Sequence, residues 1–138
     1  MLGLEDVREF IAGLGLAAED RVYCGRLENK KEQSIGVYRL ERTGSPNIPV
    51  GGMQNSSYGV KPVSLLIHWN ESIRDTEDVA EQLFYTLLET RNAEVNGNRI
   101  KFIRLLTPEP VDVGTDIDIY EMVIEMEIYF ERQGEENE

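Results

Sequence analysis

Hydrophobic and polar positions alternate at two different periods along this chain, and the two periods mark out its elements. Near the start, Leu4, Val7, Ile11 and Leu14 recur at helical spacing, joined by Phe10. Glu5, Asp6, Arg8 and Glu9 take the other side, so a short amphipathic helix is predicted, ended by Gly13 and Gly15. Residues 21–27 are apolar enough for a first strand. A charged turn over 29–33 follows, and then Ile35, Val37 and Arg39 alternate with Gly36, Tyr38 and Leu40 as a second strand.

The pattern breaks off over residues 41–61, where Thr43, Gly44, Ser45, Pro46, Pro49, Gly51, Gly52 and Gly59 crowd together. A connection of this length with no apolar period is usually functional or mobile. It reads either as an exposed arm or as an irregular hairpin with Ile48, Val50 and Met53 as strand residues.

Regularity returns at 63–69. Val63, Leu65, Ile67 and Trp69 share one face and Leu66 makes the other partly apolar, as in a central strand covered in part on both sides. Asp75 or Thr76 is then expected to cap a helix reaching to about Arg91, with Glu77 and Asp78 at the positive end of its dipole. Its buried stripe is written in two rows, Val79, Leu83, Leu87 and Ala80, Phe84, Leu88. Asn96 and Gly97 form a turn into a strand over 100–106, and a loop containing Pro108, Pro110 and Gly114 precedes the last element. In that final strand, 120–132, Met122, Ile124, Met126, Ile128 and Phe130 point one way. Glu121, Glu125, Glu127, Tyr129 and Glu131 point the other, with Val123 as the apolar exception. One face is expected in the core and the other as a wet acidic ladder.

These elements add up to an α+β fold, with a largely antiparallel or mixed sheet of four to five strands, two helices and a long Gly/Pro-rich arm. Residues 1–132 are expected to form a single domain and 133–138 a disordered acidic tail. A chain of 138 residues can bury one core without disulfide or metal staples.

Charge narrows the function. Lys plus Arg number 14 against 26 Asp plus Glu, a net charge of -12, which argues against direct nucleic-acid binding through phosphate neutralisation. The single cysteine, Cys24, excludes an internal disulfide and fits a reducing compartment. Residues 1–14 carry Glu5, Asp6 and Glu9 where a secretion signal would be basic and then apolar. No apolar stretch approaches the roughly 20 residues that span a bilayer. The expected location is the cytoplasm, with no membrane partner.

Each candidate site has a structural reading. Gly13, Gly15 and Ala18 spell a dinucleotide fingerprint, but they follow a helix where the chemistry needs a strand before and a helix after, so no cofactor is expected. Asp112, Asp116 and Asp118 suggest calcium, yet the twelfth position counted from Asp112 is Val123 where the loop requires glutamate, and no metal site is expected. Cys24 lacks the basic neighbour of a nucleophile in sequence and reads as a small buried residue beside Val22. His68, the one histidine, stands at a strand end, where a packed or hydrogen-bonded role is the usual one; nearby Glu71 is a weak candidate partner. Asn55-Ser56-Ser57 and Asn70-Glu71-Ser72 match the glycosylation acceptor pattern, which has no meaning without secretion. No catalytic residues are identified, so the chain is not expected to be an enzyme.

The order of elements, from the strand Val63-Ser64-Leu65-Leu66-Ile67-His68-Trp69 through the following helix to Thr107-Pro108-Glu109-Pro110-Val111-Asp112-Val113-Gly114 and the last strand, resembles the tail-terminator proteins of long-tailed bacteriophages. That group includes minor capsid and tail-completion proteins of prophages. The resemblance implies a structural, non-enzymatic homo-oligomer: a ring, commonly of six subunits, that caps the tail tube and joins it to the head and neck. Assembly would take place in the host cytoplasm and the product would reside in the virion, with tail-tube and neck proteins as partners. Met53 and Tyr58 are the expected contact residues in the arm. If the ladder Glu121, Glu125, Glu127 and Glu131 faces inward, its field would repel DNA passing through the ring. A stand-alone acidic module that captures a basic protein by mimicking nucleic acid is the competing reading, and a small enzyme using His68 is a third.

Overall fold

The computed structural model describes residues 2–25, 31–40 and 58–132. Among the described residues, two α-helices and a single mixed, curled sheet form the fold. The helices are α1 (Leu4–Gly13) and α2 (Ile73–Leu88). The strands are β1 (Val22–Cys24), β2 (Ser34–Arg39), β3 (Tyr58–His68), β4 (Arg91–Val95), β5 (Asn98–Leu105), β6 (Val111–Asp116) and β7 (Ile119–Arg132). The class is α+β, as the periodicities imply. The strand number is not four or five: the sheet has seven strands, in the order β1-β2-β3-β7-β5-β4, with β6 paired to β7 off that path. β1 and β2 are parallel and every other pairing is antiparallel.

The two additional strands have a common physical cause. β4 and β6 are largely exposed, so selection for a buried face has written no clean alternation into them. β6 lies within the stretch expected as a loop. It departs from regular pairing at a bulge between Asp112 and Gly114, where Gly114 has φ +98 and its N–H donates to Asp112 Oδ1 at 2.8 Å. β3 also begins earlier than the hydrophobic pattern suggests: residues 58–61, assigned above to the arm, pair with β7. The remainder of the arm and the acidic tail lie outside the described residues.

Cross-strand register assembles the core. Ile35 opposes Ile67 and Val37 opposes Leu65 between β2 and β3, while Leu65 opposes Ile124 and Ile67 opposes Met122 between β3 and β7. Ile103 and Ile128 continue the same face into β5. All of these are buried, and each fully buried aliphatic side chain contributes on the order of 2 kcal/mol.

The α2 stripe packs onto this face with Val79, Ala80, Leu83, Phe84 and Leu87 buried. Leu88, expected in the stripe, is instead 43% exposed at the last turn. The helix begins a turn earlier than expected. Its N-cap is Ser72, whose Oγ accepts from Asp75 N–H at 3.1 Å, while Asn70 Oδ1 accepts from Ser72 N–H at 2.9 Å. Helix α1 seals the core with Val7 and Ile11 and ends where Gly15 adopts φ +80. The fingerprint-like glycines therefore terminate a helix.

Candidate functional interface

The helices cover one face of the sheet, and the other face carries the polar positions of β3, β5 and β7. Reading across the strands, the rows on this outer face are His68–Glu121, Leu66–Val123, Ser64–Glu125, Pro62–Glu127–Arg104, Val60–Tyr129–Phe102 and Tyr58–Glu131–Arg99. The four glutamates predicted as a ladder do share this face.

They are not fully hydrated, which corrects the expectation of a wet surface. Because β7 lies between β3 on one side and β5 and β6 on the other, its neighbours shield the side chains. Glu127 is 5% exposed. Its Oε1 accepts from Arg104 Nη1 at 2.9 Å. Glu131 lies 3.6 Å from Arg99 and 3.8 Å from Lys101. Glu121 pairs with His68 at 2.7 Å, while Glu125 has no ion-pair partner among the described residues. The Glu131 pairs, partly exposed on both sides, each contribute little, about 0–1 kcal/mol, whereas the Glu127 and Glu121 pairs are shielded and offset the cost of burying a carboxylate.

Tyr58, one of the two predicted contact residues, sits at the start of β3 and is 48% exposed. Its ring centroid is 6.3 Å from that of Tyr129, which stacks on Phe102 at 4.5 Å with an interplanar angle of 11°. Three neighbouring strands thus present one aromatic cluster, with Phe102 40% exposed. Sequence reading missed Phe102 and Tyr129 as members, because β5 is displaced at an irregularity between Ile100 and Phe102 that no local pattern announces. Met53, the other predicted contact, lies outside the described residues.

The chemical candidates resolve as follows. His68 is 1% exposed, and its partner is Glu121, 53 positions away, not nearby Glu71. Its Nδ1 engages the carboxylate, and Nε2 has no hydrogen-bond partner among the described residues. Asp116, at the end of β6, brings a carboxylate to the same place, and the ligand atoms of His68, Asp116 and Glu121 lie within 4.8 Å of one another. Cys24 does have cations near it in space, Arg8 and Lys61. Burial, reinforced by Glu5, nevertheless pushes its thiol up, so the thiolate of a nucleophile is disfavoured. Burial, followed by the charge of Arg39, pushes Lys61 down.

A groove between α2 and the proline-containing segment is lined by Glu77, Glu81, Glu109 and Asp112 among others. Thr107, Pro108, Pro110, Val111 and Met122 complete its lining. No helix among the described residues is long and apolar enough to cross a membrane.

None of the curated proteins compared with the chain matches it. A family profile described as bacteriophage tail terminator protein matches residues 10–132, which include β1 to β7, α2 and the whole outer face. With most of its length matched in this way, the chain belongs to the bacteriophage tail terminator protein family.

Proposed function

We propose that this chain is the subunit of a ring that caps the phage tail tube, stops its growth and presents a surface to the neck. The observation that carries the reading is the outer sheet face. It is a broad, pre-formed surface left uncovered by the protein's own helices, with a partly exposed aromatic cluster at one end, on a chain matched along most of its length by the terminator family. Partly exposed aromatic side chains with paired charges beside them are the composition of an interface.

A ring requires two different patches on each subunit. Tyr58, with Phe102 and Tyr129 beside it, and Met53 are together assigned to one of them. The four glutamates are assigned to the channel wall. Three of them have cationic or imidazole partners, so the field that repels DNA is weaker than a count of carboxylates suggests and depends most on Glu125.

Light scattering on the purified protein, alone and with tail tubes, tests the proposal. A defined oligomer that binds tube ends is expected. The double variant Tyr58→Ala, Phe102→Ala should shift the population towards monomer while retaining the native circular dichroism spectrum. A strict monomer at high concentration, unable to engage tubes, would overturn the ring.

A further inference from the structure

We propose that His68, Asp116 and Glu121 form a binding site for a first-row divalent transition-metal cation of the zinc class. The site stands apart from the aromatic cluster and does not depend on ring assembly. Three strand ends build it: His68 closes β3, Asp116 closes β6 and Glu121 lies just inside β7. The sheet holds them there. Trp69 N–H donates to the carbonyl of Tyr120 at 3.1 Å, and Tyr120 N–H donates to that of Asn70 at 2.9 Å, so the start of β7 is clamped to the chain leaving β3.

The donor set has the right chemistry. One imidazole nitrogen and two carboxylate oxygens suit a borderline cation, whereas calcium and magnesium favour oxygen alone. Ligands bonded to one ion at about 2.1 Å stand no more than about 4.2 Å apart. The three ligand atoms are already within 4.8 Å of one another, so closing them around an ion asks for only small side-chain movements.

A second observation points the same way. His68 is buried to 1% exposure and its Nε2 has no partner among the described residues, a deficit that in folded proteins commonly marks an ordered water or ion. Spacing along the sequence could not reveal the site, because only the sheet brings His68 to Glu121.

Titration of the full-length, chelator-treated protein with zinc, followed by calorimetry and by nuclear magnetic resonance of the single imidazole, tests the site. Wild type is expected to bind one zinc per chain, to melt at a higher temperature with zinc, and to show displaced His68 ring signals that magnesium does not reproduce. Asp116→Asn and Glu121→Gln should weaken binding by about tenfold or more. Asp116 is only half-buried, so its variant should remain folded even where His68→Gln does not. Zinc binding that leaves the His68 ring signals unmoved, or that is unchanged in both carboxylate variants, would overturn the proposal.

Discussion

Two hairpins in this protein share one backbone and have opposite origins. The β4–β5 and β6–β7 connections are both two-residue turns, with Val95 opposing Asn98 in one and Asp116 opposing Ile119 in the other. In both, the two central residues have positive φ: Asn96 at 51 and Gly97 at 82, Ile117 at 50 and Asp118 at 67. The first pair is Asn-Gly, which adopts this conformation readily. The second contains a β-branched isoleucine that disfavours it and that is 83% exposed, with no burial to offset the strain. What holds the second hairpin is its surroundings: Ile119, itself buried, the clamp from Trp69 and Asn70 onto Tyr120, and the His68–Glu121 pair. One turn is encoded locally and the other is imposed by the sheet.

The comparison can be broken most strongly at the anchor. Ile119 is 8% exposed, and Ile119→Ala should cost about 2–4 kcal/mol in urea denaturation, with amide exchange in β6 rising more than in β4. A smaller effect is expected at the locally encoded turn. Gly97→Ala places a side chain at φ 82 and should cost about 1–2 kcal/mol by the same measurement, even though a Cβ there meets no neighbouring atom. The smallest change has the opposite sign. Ile117→Asn replaces a strained residue with one that tolerates left-handed backbone and should stabilise by about 1 kcal/mol, seen as a rise in melting temperature. If Ile117→Asn destabilised instead, the isoleucine would be making a contact that outweighs its strain.

The same contrast governs how legible the fold was. The α2 stripe, the alternation of β7 and the Asn96–Gly97 turn follow from side chains a few positions apart, and apart from the exposed Leu88 they appear where the pattern puts them. Ser72 escaped as the helix cap because Asp75 and Thr76 are also capping residues. Only the neighbouring Asn70 and the backbone hydrogen bonds distinguish among the three. β6 escaped because it is exposed, two prolines precede it, a bulge interrupts it at Gly114, and its pairing partner is β7 itself. In the candidate interface, Tyr58 was legible as an exposed aromatic. Phe102 and Tyr129 became its neighbours only through pairing between β3, β7 and β5.

The sequence by itself determined the class of the protein: an acidic α+β chain with an amphipathic helix over a strongly patterned strand. Those properties depend on composition and on periods of two and 3.6 residues, which each element carries internally. The tertiary structure decided the solvation of the glutamates, the partner of His68 and the tolerance of Ile117 at positive φ. Each of these is set by the strand lying alongside, and sheet pairing joins residues that the chain keeps far apart.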